Sequence, residues 1–216
     1  MPESTRPQPL RSALLTVDLQ NDFVLPGAPL ETPCAAVLPA AARLVRLYRN
    51  RGLPIFHVVR LYLPDGSNAD LCRREDVAAG KPYVLPGSDG ARLAEEIRPA
   101  NTELDPDLLL SGGLQKLGAN EFALYKPRWS AFFGTDLAGE LARREVTTAV
   151  VAGTWYPNCV RATLYDAAAH DLRIVAVRDA IAGLEDRDVP HLERICCRVM
   201  VADQYAALLA QYADLI

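Results

Sequence analysis

Residues 147–170 read TTAVVAGTWYPNCVRATLYDAAAH, and this stretch decides the architecture. Thr147–Gly153 is an apolar, β-branched run, the strongest strand pattern in the chain. It breaks at Gly153, passes through a tight loop, and gives way at Cys159 to a segment with helical periodicity as far as His170. Working outward, the same alternation recurs. Downstream come a strand at Leu172–Arg178, a helix at Pro190–Cys196, a short strand at Val199–Ala202 and a closing helix at Gln204–Ala213. Upstream, SALLTVD (Ser12–Asp18) and PIFHVVR (Pro54–Arg60) read as strands, and Glu121–Tyr125 as another. Between the first two, Leu38–Arg51 carries apolar residues at helical spacing, with arginines on the opposite face and Gly52 as its stop. A short helix at Leu137–Arg144 precedes the deciding strand. The runs at 12–18, 54–60 and 147–153 are almost continuously apolar, as strands buried on both faces must be. The expected fold is α/β: a three-layer sandwich around a central, mostly parallel sheet of six strands.

The composition fits such a fold. Half of the 216 residues are hydrophobic and 23% are charged, which excludes a disordered chain or a disulfide-stapled miniprotein. One domain over 1–216 is expected, with an irregular insertion at about 61–120 that is rich in Pro, Gly, Asp and Arg and holds a single modest helix near Ala91–Ile97. A net charge of −4 without a basic run argues against nucleic-acid or anionic-membrane partners. The longest uncharged stretch, 146–160, has 15 residues, too few to span a bilayer, and MPESTRPQPLRS lacks the apolar region of a secretory signal. Five cysteines without framework spacing suit a reducing compartment, so a cytoplasmic protein is expected. No CxxC or HxH occurs, and His57, His170 and His191 lie far apart, so neither a metal site nor a cofactor is expected.

In open α/β sheets ligands bind at the carboxyl ends of the strands, and three reactive residues share that address. Asp18 closes SALLTVD, Lys126 follows Glu121–Tyr125, and Cys159 opens the helix after the central strand. Taken singly, each has a plainer reading: a helix cap, a solvated charge and a small buried hydrophobe. Taken together they suit covalent catalysis. The cysteine attacks, the ammonium and the helix N-terminus favour its thiolate, and the carboxylate carries the proton that no histidine is placed to move.

The chain resembles the isochorismatase-like cysteine hydrolases, which include nicotinamidase and the N-carbamoylsarcosine, ureidoacrylate and biuret amidohydrolases. The resemblance extends from Ser12 to Met200. It rests on LLTVDLQNDF, KPRWSAFFGTDL and TTAVVAGTWYPNCVRATLYDAAAHDLRIVAVRDAIAG, in that order. It implies that Asp18 is general base, Lys126 its support and Cys159 the nucleophile. It also implies strand order 3-2-1-4-5-6, a cis peptide at Thr154–Trp155, an oxyanion held by the N–H groups of Trp155 and Cys159, and a homo-oligomer, dimer or tetramer. Two departures narrow the reading. The Asp-x-His metal motif of nicotinamidases is missing from HVVRLYLPDGSNADLCRRED, where Arg60 and Tyr62 stand, and WYPN replaces the commoner Thr-Asp-x before the cysteine. The expected function is cysteine-dependent hydrolysis of a small amide, ureido compound or lactam. Hydrolysis of an isochorismate-like vinyl ether, or a non-catalytic binding role, is the alternative.

For the small-molecule pocket, Phe23, Trp129, Phe132 and Trp155 are candidate walls. Arg60, Arg128 and Arg161 are candidates for a substrate carboxylate, although each alone reads more simply as a surface ion pair. Gln20, Asn21 and Asp22 read as turn residues, and His57 as a satisfied core histidine.

Overall fold

The computed structural model describes residues 2–28 and 34–212. Its first half runs β1 (Ser12–Val17), α1 (Asn21–Val24), α2 (Leu38–Arg51), β2 (Ile55–Val59), α3 (Arg74–Ala78) and α4 (Pro106–Leu110). There follow β3 (Leu114–Gly118), β4 (Glu121–Tyr125), α5 (Leu137–Arg143) and β5 (Thr148–Gly153). The chain then passes to α6 (Arg161–Ala169), β6 (Arg173–Ile181), α7 (Val189–Arg194), β7 (Arg198–Met200) and α8 (Ala202–Ala210). The closing helix expected to reach Ala213 therefore stops at Ala210, and Ala213 itself lies outside the described residues. No helix among the described residues is long and apolar enough to cross a membrane.

One seven-stranded sheet has the order β3-β4-β2-β1-β5-β6-β7. The six expected strands lie parallel in the expected order, and β3 adds an antiparallel edge against β4. The sequence LQKLG hides this strand: it has no β-branched residue and stays half-exposed at the sheet edge. The expected helix near Ala91–Ile97 is also absent. A single 3₁₀ turn at Asp89–Ala91 leads into extended chain, where Leu93 bridges Gln20 and the Ala94 N–H donates to the Leu19 carbonyl at 3.0 Å. Pairing with the exit of β1 overrides the local helical pattern.

The strands alternate between two cores. Ala13, Leu15 and Val17 of β1 face α5, α6 and α7, and Leu14 faces the layer of α2 and α8. Helix α2 ends as its sequence implies, with Gly52 left-handed at φ +61°.

A polar chain crosses the sheet inside this apolar frame. Thr16 lies 2.7 Å from His57 Nδ1, and His57 Nε2 lies 2.6 Å from Glu121 Oε1, which also accepts from Arg49 at 2.7 Å. A carboxylate only accepts, so Nε2 donates to Glu121, and Nδ1 is paired with the Thr16 hydroxyl. His57 is thus a satisfied core residue. Burial works to raise the Glu121 carboxyl, but hydrogen bonds from Arg49 and His57 outweigh it and hold the group down at about 2. The resulting stabilisation is complete above the ordinary carboxylate range and is lost as pH falls from there toward 2. Glu121→Gln is expected to cost about 3 kcal/mol at neutral pH and to flatten the stability profile over that acid window. Urea denaturation of both proteins between neutral pH and pH ~3 measures this, and parallel acid profiles would contradict it.

Candidate active site

The carboxyl ends of β1, β4 and β5 present Asp18, Lys126 and the loop to Cys159 to one cavity of about 460 Å³. Asp18 is buried and left-handed, with φ +53°, a conformation open to aspartate. Its N–H donates to the Val58 carbonyl at 2.9 Å, so the chain stays stitched to β2 as it leaves the sheet. The Lys126 N–H is held in the same way by the Val59 carbonyl at 3.0 Å, and Pro127 then directs the exit. At Gly153 β5 presses against β1: a Cβ there would stand 2.2 Å from the Val17 carbonyl oxygen, which only glycine avoids. The loop beyond it is tied down by Thr154 N–H to Val17 and by Tyr156 N–H to Ala182, both at 2.9 Å. The Thr154–Trp155 peptide is cis.

Cys159 lies in a single π-type turn, Tyr156–Val160, that runs directly into α6. Its carbonyl accepts from the Thr163 hydroxyl at 2.7 Å. The Lys126 ammonium bridges the site, 2.9 Å from Asp18 Oδ2 and 3.3 Å from Cys159 Sγ. Burial opposes the lysine charge, but Asp18 and Cys159 outweigh it and raise its pKa. Burial and the Asp18 charge push the thiol up to about 12 despite the lysine. The sulfur lies beside the buried Asp18 carboxyl, the group placed to exchange a proton with it.

The wall candidates divide. Phe23, Trp129, Thr154 and Trp155 line the cavity, as does Arg60. Phe132 does not: it is buried in the core against His170, ring centroids 4.9 Å apart. Arg128 is exposed, donating to the carbonyls of Asn68 and Pro127, and borders a separate cleft, while Arg161 stacks on Tyr165. Arg60 is no surface residue. It is 1% exposed, donates to the Lys126 carbonyl at 2.8 Å and Asp70 at 3.2 Å, and lies over the Tyr62 ring. Gln20 is more than a turn residue: its amide pairs both ways with the Arg60 backbone, at 2.8 and 2.9 Å.

Tyr62, Asp70, Arg73, Asp76, Tyr83 and Asn158 also line the cavity and were not singled out by sequence. Only Tyr62 had a signal, its place just beyond a strand end. The neighbourhood does not suit a metal ion. Both His57 nitrogens are engaged in the core, Asp70 is committed to Arg60 and Tyr62, and the buried guanidinium would repel a cation.

Fold and site together define an α/β protein with a cysteine, a lysine and an aspartate converging at the carboxyl edge of a mostly parallel sheet. The isochorismatase domain model matches residues 12–195, and the chain belongs to the isochorismatase family. It is 33% identical over 175 residues to a probable inactive nicotinamidase of Arabidopsis thaliana, covering 80% of this chain and 81% of that one. It is 30% identical to maleamate amidohydrolase of Pseudomonas putida over 79% of this chain and 72% of the relative. The crystal structure of an isochorismatase family protein from Desulfovibrio vulgaris superposes with a TM-score of 0.78 at 33% identity, covering 93% and 98% of the two chains.

Proposed function

We propose that the protein is a cysteine-dependent amidohydrolase that cleaves the C–N bond of a small amide, ureido compound or lactam through a thioester. The observation that carries this reading is the Lys126 ammonium held between Asp18 and Cys159 on the wall of the cavity. A thiol whose pKa is raised by burial needs a base, and the Asp18 carboxylate is the group beside it. As sulfur attacks the carbonyl carbon, its proton passes to Asp18. The tetrahedral oxyanion rests on the N–H groups of Trp155 and Cys159, and Lys126 balances the charge that moves between sulfur and carboxylate. Asp18 returns the proton to the leaving nitrogen, the C–N bond breaks and an acyl-thioester remains. Water then loses a proton to Asp18 as it attacks the thioester, and the carboxylic acid and the free thiol are released. The name of the Arabidopsis relative raises the non-catalytic alternative; the complete Asp18–Lys126–Cys159 set in this chain favours catalysis.

A panel of small amides, ureas and lactams assayed for ammonia or amine release tests the reading. At least one is expected to turn over, with a rate unchanged after exhaustive dialysis against EDTA. Loss of activity on chelation, restored by zinc, would replace this mechanism with a metal-assisted one.

A further inference from the structure

Charge in the cavity is paired with one exception. Lys126 neutralises Asp18 at 2.9 Å, and Arg60 neutralises Asp70 at 3.2 Å with the Tyr62 hydroxyl donating to the same oxygen at 2.7 Å. Asp76 is held by Lys81 at 2.7 Å. The remaining cation on the wall is Arg73. Among the described residues no carboxylate lies within ion-pair distance of it; its guanidinium stands 5.9 Å from the centroid of the Tyr83 ring, and Tyr83 is itself buried. The backbone beneath is fixed, with the Arg73 N–H donating to the Asp70 carbonyl at 2.8 Å as the chain enters α3. A half-buried guanidinium, supported by an aromatic face and lacking an anion, is a fork for a planar anion.

We propose that Arg73 binds a carboxylate at the non-reacting end of the substrate, so that the compounds cleaved are amides or ureido derivatives that are also carboxylic acids. This rests on the cysteine hydrolase reading above, in that the carboxylate is anchored while the carbonyl faces Cys159. Arg73 and not Arg60 is assigned because the Arg60 guanidinium already donates to Tyr125, Lys126, Asn68 and Asp70.

Matched thiol reagents test the assignment without knowledge of the substrate. Iodoacetate is paired with iodoacetamide, and N-iodoacetylglycine with N-iodoacetylglycinamide. Each transfers its acyl-methyl carbon to Cys159 Sγ with loss of iodide, the thiol proton leaving to Asp18 or solvent. Alkylation of the Cys159 and Cys72 peptides is followed by mass spectrometry in the native chain, R73A, R73Q and R73K, each first checked for a native thermal transition. In at least one pair, the carboxylate-to-carboxamide rate ratio at Cys159 is expected to fall about tenfold in R73A and R73Q, with partial recovery in R73K. The ratio at exposed Cys72 serves as the reference for reagent chemistry. Ratios at Cys159 that are the same in all four proteins overturn the carboxylate subsite and leave the cysteine mechanism intact. Failure of Cys159 to react in any of them, while Cys72 is alkylated, overturns both.

Discussion

Cys159→Ala, Asp18→Asn and Lys126→Ala are each expected to lower kcat by about 10³-fold or more, and the triple variant to be little worse than the worst single one. The expectation follows from the geometry. Lys126 touches both partners, at 2.9 Å and 3.3 Å, so no one of the three works in its own environment once another is gone. Without the cysteine there is no acyl carrier. Without the carboxylate the thiol proton has no acceptor and the leaving nitrogen no donor. Without the ammonium, buried Asp18 loses its ion pair, and the sulfur loses the charge that opposes its rise toward 12. Steady-state kinetics on whichever amide the panel identifies, with circular dichroism to confirm folding, measure the effect. Additive losses would mean that the residues act separately. Near-normal turnover by Cys159→Ala would end the covalent mechanism and favour isochorismatase-type hydrolysis on the same scaffold.

The parts of the site that were legible in the sequence are those tied to periodicity. Asp18, Lys126 and Cys159 each follow an apolar run, and a parallel sheet places the ends of such runs together, so three residues 33 to 141 positions apart can be assigned to one edge. The rest of the wall depends on tertiary ties that leave no periodic trace. The Val84 N–H donates to Asp22 at 2.7 Å, and Gln20 clamps both Arg60 and the Ala91 carbonyl. These ties fold the 61–120 segment over the strand ends and bring Tyr62, Arg73 and Tyr83 to the cavity, and they also replace the helix expected near Ala91–Ile97. Aromatic and basic residues in KPRWSAFF failed as guides for a related reason. Trp129 lines the cavity and Phe132, three positions on, is core, because the segment is a turn with neither helical nor strand period. The edge strand β3 was missed because a half-exposed strand needs no hydrophobic alternation.

Asp18→Asn is expected to stall as a thioester on Cys159 when the substrate carries a leaving group that needs no protonation, such as the p-nitrophenolate of an activated ester. The carboxylate raises the thiol pKa, so its neutralisation leaves Lys126 as the charge nearest the sulfur and makes thiolate easier to form. Acylation by a group that departs without protonation therefore has a route that does not pass through Asp18. Deacylation has none, because water in the cavity must lose a proton as it attacks, and among the described residues the other carboxylates on the wall are engaged: Asp70 with Arg60 and Tyr62, and Asp76 with Lys81. A burst of leaving group close to one equivalent of enzyme is expected, followed by turnover about 10²-fold or more below that of the native chain. Acid quenching and peptide mass spectrometry should find the acyl mass on the Cys159 peptide, and hydroxylamine should remove it. A native-like steady state would show that another group activates water. A burst whose adduct maps to Cys34 or Cys72 would move the nucleophile away from Cys159, and absence of any burst would mean that Asp18 is already indispensable for forming the thiolate.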